Sequence, residues 1–145
     1  MSFEDLPAGR ARDLDLADHT HAADVIDLIT FEEDRDLGCF TAMLCDRNDH
    51  GLQPLCLKCL PPGTPAEEMT DLLDLVLPLV AQVDGAILMA RGRPGRLRPN
   101  DDDRAWHQRA IEACREHGVR LLGFHLATHD GVLRLPDAMS AADVA

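Results

Sequence analysis

The stretch "ILMARGRPG", Ile87–Gly95, decides the fold. Ile87 to Ala90 is an unbroken apolar run, of the kind that forms a strand covered on both faces of a sheet. It ends in Arg91, Gly92, Arg93 and Pro94, where an open α/β sheet keeps its chemistry, just past the carboxyl end of a strand. Downstream, "NDDDRAWHQRAIEACREHG" predicts a helix. Asn100 is a good N-cap, three aspartates fill the first turn where the helix dipole favours negative charge, and Gly118 supplies the stop. Trp106, Ala110, Ala113 and Cys114 mark its buried stripe. "VRLLGFHLA" reads as a further strand, "THDG" as a turn and "VLRL" as a short partner strand.

Upstream, "PPGTPAEEM" begins a helix with Thr64 as N-cap, Pro65 at the first helical position and Glu67 completing a capping box. Its apolar face uses Met69, Leu72, Leu73, Val76 and Val80, and Pro78 is expected to end or kink it. "CFTAMLC", "DRNDHG" and "LQPLCLKCL" read as strand, turn and strand, a β-hairpin over Cys39 to Leu60. "FEEDRDLG" is expected to be a polar linker. Before it, Ala22, Val25, Ile26 and Ile29 fall at helical spacing within Asp18 to Thr30. The order is helix, hairpin, helix, strand, helix, strand, short strand. That predicts a single α/β domain with a mixed sheet flanked by helices. Residues 1–17 are expected to be a flexible acidic arm, 18–136 the domain, and 137–145 a tail.

Composition narrows the function. The chain has 145 residues, enough for one real core, and 46% apolar residues, too many for a disordered chain despite a formal charge of -12. That acidity argues against a nucleic-acid or membrane binder, which would carry a basic face. The charge is uneven: residues 1–36 hold eleven acids against three arginines, while Arg91 to Arg98 holds four arginines and no acid. An acidic arm could therefore shield the arginine loop in cis. Thirteen of the fourteen basic residues are Arg, which points to a GC-rich bacterial genome. The N-terminus shows no basic head followed by an apolar core, and the five cysteines are an odd number. No signal peptide is expected, and reduced cytoplasmic thiols are.

The block "ILMARGRPGRLRPNDDDRAWHQRAIEACREHGVRLLGFHLATHDGVLRL" resembles the C-terminal half of RadC-like domains of the JAMM/MPN metalloprotease superfamily. That pattern is an apolar strand, His-Asn-His-Pro-Ser-Gly, a loop with a late proline, Ser-x-x-Asp and a helix, then a strand beginning Gly-(Ile/Val). Pro94, Pro99, Asn100-x-x-Asp103, Gly118-Val119 and Asp130-Gly131 fall in the same order. The match is good over residues 85–135 and only topological over 39–80. The resemblance implies a zinc ion held by the two histidines and the aspartate, with an upstream glutamate working its water for amide or isopeptide hydrolysis. This chain departs from it. Both histidine positions are arginine, Arg91 and Arg93, the serine is Asn100, and no glutamate among Glu32, Glu33, Glu67 and Glu68 stands out. Only Asp103 remains of the ligand set.

Guanidinium has no free lone pair and stays protonated, so it cannot ligate a cation. We therefore expect no metal and no cofactor. We expect Asp103 to pair with Arg91 or Arg93 in a structural bridge of about 1 kcal/mol. The other arginine, with Arg96 and Arg98, would meet an anion or a partner. Three alternatives stand beside this. One is a hydrolase with a rearranged metal site drawn from Asp103, His107, His125 and His129. Another is an anion-binding module at Arg91–Arg98, although the loop lacks the aromatics that stack nucleic-acid bases. A zinc site at Cys56 and Cys59 with Cys39 and Cys45 is the third; it is disfavoured because Cys56 and Cys59 would face opposite sides of one strand. Cys114 is expected in the core. His19 and His21 form a loose pair, and His107 and His117 are too far apart to share an ion. The favoured reading is a non-catalytic domain that binds a protein or an anionic ligand, its partner unknown.

Overall fold

The computed structural model describes residues 14–137. Two helices come first, α1 (His19–Ile29) and α2 (Glu32–Leu37), then strands β1 (Cys39–Cys45) and β2 (Gly51–Lys58). A 3-10 turn over Ala66–Met69 leads into α3 (Thr70–Gln82), followed by β3 (Ala86–Gly92), α4 (Asp101–His117), β4 (Arg120–Thr128) and β5 (Gly131–Arg134). The five strands form one sheet in the order β2-β1-β3-β4-β5. Only β3 and β4 run parallel; every other pair is antiparallel. This is a single α/β domain with a mixed sheet. Among the described residues, no helix is long and apolar enough to cross a membrane.

β3 is central, and all seven of its residues are buried. Its alternation splits the core. Ile87 and Met89 join Phe40, Leu73, Trp106 and Phe124 under α3 and α4, whereas Leu88 and Ala90 join Val25, Ile26 and Met43 under α1. Each fully buried side chain of that size contributes about 1.5–3 kcal/mol before entropy is counted.

Several expectations are corrected. "FEEDRDLG" is not a linker. Acids in its first turn favour a helix start, and Gly38, at φ +85°, ends the short helix α2. Leu16 is buried at 1% exposure and its N–H donates to Asp49, so the packed domain starts before residue 18. The rest of the expected arm, residues 1–13, and residues 138–145 of the tail lie outside the described residues. Thr64 makes no capping box. Its hydroxyl donates to the Pro61 carbonyl and its own carbonyl accepts from the Trp106 indole, so the α-helix begins only at Thr70. Pro78 does not stop α3, which continues to Gln82. Pro78 lies on the exposed side, where water can meet the carbonyl that lost its N–H partner.

Helix α4 matches its sequence closely. Asn100 accepts from the Asp103 N–H and Asp103 accepts from the Asn100 N–H, a reciprocal capping box, and Gly118 closes the helix in the left-handed region. The cap fixes the Asp103 carboxylate at the carboxyl ends of β3 and β4.

Candidate functional site

The strand does not end before the arginines. β3 runs through Arg91 and Gly92, and the Arg93 N–H then donates to the Ala127 carbonyl of β4. Residues two apart on a strand share a face, so both arginine side chains project to the side that carries α4. There they meet Asp103, in the first turn of that helix.

Asp103 takes both guanidinium groups, where pairing with one was expected. Its Oδ1 accepts from Arg91 Nη1 at 3.0 Å and from Arg93 Nε at 3.0 Å. Its Oδ2 accepts from Arg93 Nη2 at 2.8 Å and from the Asn100 main chain at 2.9 Å. Arg91 also donates to Asp102 at 2.8 Å, and its guanidinium lies 5.0 Å from the Trp106 ring centroid. Arg93 spends its remaining N–H groups on the carbonyls of Pro94, Arg96 and Arg98, and so ties down the loop. Side-chain exposure is 3% for Arg91, 9% for Arg93 and 1% for Asp103. Burial alone would push the Asp103 carboxyl up, but the hydrogen bonds from Arg93 and Asn100, with the charges of Arg93 and Arg91, hold it below the usual carboxylate range.

Two cations and two carboxylates, Asp102 and Asp103, therefore balance at the end of β3. Neither Arg91 nor Arg93 is left for an anion, which corrects the expectation of one spare guanidinium. Of the four arginines, Arg96 and Arg98 alone keep exposed side chains, and neither makes a salt bridge among the described residues. The cluster also does not fit a metal. Its donors are all N–H groups, and both carboxylates in it already accept from arginine, Asp103 from Arg91 and Arg93 and Asp102 from Arg91.

The residues of a rearranged metal site do not converge. His107 sits one turn after Asp103 but stacks on Phe124, centroids 5.3 Å apart, and burial pushes its pKa down. His125 pairs in register with Ala90 and so lies on the other face of the sheet, toward α1. It is fully buried with no hydrogen-bond partner for either ring nitrogen among the described residues, and burial pushes it down to about 4. His129, in the β4–β5 turn, is exposed and held by α2, with Nδ1 2.5 Å from Glu32 and Nε2 on Asp36. Hydrogen bonds to Asp36 and Glu32 raise its pKa. His117 meets Asp74 of α3 at 3.3 Å. Among the described residues, no three His, Cys, Asp or Glu side chains are grouped to hold a metal.

The cysteines divide in the same way. Cys39, Cys45 and Cys114 are buried free thiols, while Cys56 and Cys59 are exposed. The neighbouring Cys56 thiol and burial raise the pKa of Cys39, Cys39 lowers that of Cys56, and Cys59 falls past the end of β2, at φ +60°.

Two parts of this region are not apparent in the sequence. Asp102 looks there like a first-turn acid only, and it proves to be the second carboxylate on Arg91. Arg35 falls in the supposed linker. It is 2% exposed beside Gly92, where an added Cβ would meet Cys39 Sγ at 2.5 Å and Arg35 Cγ at 3.5 Å. Its guanidinium donates to the carbonyls of Thr30 at 2.7 Å and Thr128 at 2.8 Å, and to Asp27. No protein-family profile matches this chain, and no curated protein matches it.

Proposed function

We propose that this chain is a non-catalytic RadC-like domain, a pseudo-JAMM module that acts by binding in the cytoplasm. The observation that carries the reading is the convergence of Arg91, Arg93 and Asp103. These are the three positions at which the resemblance implies metal ligands, and Asp103, ten and twelve residues away in sequence, bonds directly to both arginines. Two guanidinium groups fill the space a zinc ion would need and neutralise the carboxylate that would hold it. With those positions taken by guanidinium groups, the metal-bound water of the resembled family would lack its ligand set, and among the described residues no histidine stands beside Asp103 to supply one. The order of elements, two helices, hairpin, helix, strand, helix, strand and strand on one mixed sheet, supports the same reading. Free buried thiols at Cys39, Cys45 and Cys114 support a reducing compartment.

The test is to rebuild the implied ligand set. R91H/R93H leaves Asp103 with two histidines on its strand face, three ligands and an open position, as in catalytic zinc sites. The folded double variant should hold about one equivalent of zinc after desalting, and adding D103A should abolish that. A folded double variant that binds no zinc would break the correspondence with the RadC-like site.

A further inference from the structure

The face of the sheet that carries α3 and α4 is not fully roofed. The Asp74–His117 contact puts α4 on one flank of α3. The other flank is apolar and, among the described residues, uncovered: Leu75 is 68% exposed, Leu79 56% and Val83 52%, spaced four residues apart in one stripe. Val83 shares a surface groove with Leu52, itself 52% exposed, at the start of β2. Four of the seven exposed large apolar side chains among the described residues therefore lie on this side. Below them, Leu55 and Leu57 of the edge strand pair with Ala42 and Phe40, and the core covers them only in part. A helix wall and a strand floor meet at an open apolar corner.

The charges around the corner select its occupant. Asp71 and Asp84 beside α3 are exposed, Asp46 and Arg47 line the groove next to Val83, and the chain as a whole stands at -12. A second copy would set acid against acid, and an anionic membrane or nucleic acid would be repelled. Strand addition at the free edge of β2 is interrupted by Pro54, which has no N–H to donate. We infer that the corner formed by α3 and β2 is a docking site for a cationic amphipathic helix of a partner protein. Its apolar face would lie along Leu75, Leu79, Val83 and Leu52, and its arginines or lysines would meet the acidic rim. This deepens the reading of the chain as a binding domain and is independent of the RadC-like correspondence. Its failure would leave the zinc experiment unaffected.

The probe is a synthetic amphipathic helix of about eighteen residues, leucine on one face and arginine on its flanks, with a twin in which glutamate replaces arginine. Titrated into the full isotope-labelled chain, the cationic peptide should shift the amides of residues 72–83 and of Leu52, and the acidic twin should not. L75D/L79D should weaken binding at least about tenfold. That variant adds two acids, so attraction by charge alone would strengthen it instead. Unchanged or tighter binding in L75D/L79D overturns the proposal. So does a shift map centred on the acids of α2 or a full chain that does not bind. Concentration-dependent dimerisation abolished by L75D/L79D would assign the corner to a second copy and would overturn it as well. Should the variant fold poorly, the shift map on the unaltered chain still decides.

Discussion

Two buried arginine centres flank Gly92, one on each face of the sheet, and they are satisfied differently. On the α4 side, Arg91 and Arg93 share the Asp103 carboxylate, with Asp102 as a second anion. On the α1–α2 side, Arg35 is held chiefly by main-chain carbonyls, those of Thr30, Asp27 and Thr128, and by the exposed carboxylate of Asp27. The first centre joins a strand end to a helix N-terminus through opposite charges. The second fastens a short helix and two loop ends mainly with neutral carbonyls, with the exposed carboxylates of Asp27 and, at 3.8 Å, Glu32 at its outer side. A carboxylate that serves two cations is a single point of failure, whereas an arginine that serves several carbonyls distributes the loss.

Removing Asp103 should therefore have the largest effect. Asp103→Ala leaves two guanidinium groups buried with one carboxylate between them, and losing one partner of a buried pair costs about 3–5 kcal/mol. That exceeds the contribution of about 1 kcal/mol expected for a pair near solvent, because the carboxylate is 1% exposed. The denaturant midpoint at neutral pH reads it, and an unchanged midpoint would refute the account of this centre. The pH dependence gives a second reading. The carboxyl of Asp103 is depressed in the folded chain, so its contribution is complete above the unfolded value of about 3.9 and is lost as pH falls through the folded one. The gap between D103A and the natural chain should be steady near neutrality and close below about pH 4.

Arg35→Ala should cost less, about 2–3 kcal/mol, since it orphans neutral oxygens rather than cations. Its carbonyl acceptors do not titrate and its two carboxylate partners, Asp27 and Glu32, are exposed, so its gap should close less in acid than the D103A gap does. Thermal unfolding of both variants at pH 7 and pH 3.5 separates the two centres. Parallel behaviour would mean that both are held by charge alone.

The difference also decides what the sequence could disclose. Arg91, Arg93 and Asp103 were legible because local spacing placed them: an apolar run aims the arginines at the end of a central strand, and a cap with a run of acids puts Asp103 in the first turn of the next helix. Their union still needed tertiary structure, since a bond across ten residues depends on how α4 packs against β3. Arg35 was illegible. A six-residue helix shows less than two turns of periodicity, and a single arginine among four acids reads as solvated surface until the carbonyls of Thr30 and Thr128 are brought to it. Pro78 misled for the opposite reason. A helix breaker is judged by local preference, and packing of Leu77 and Val80 into the core overrode it. The uncovered corner beside α3 was legible only in part: helical spacing leaves Leu75 and Leu79 off the apolar face, but whether another element covers them is decided by tertiary packing.

The smallest effect divides the first centre into its parts. Asn100→Ala removes one cap acceptor, the side-chain oxygen 2.8 Å from the Asp103 N–H, and leaves every guanidinium contact in place. The Asn100 main chain still donates to Asp103 in this variant, so half the capping box survives. The expected loss is about 1 kcal/mol, the usual worth of an N-cap. If N100A falls as far as D103A, the aspartate matters as a cap and the arginines are incidental to stability. If it falls by the smaller amount and its midpoint tracks that of the natural chain down through pH 4, the cost of D103A belongs to the two stranded arginines.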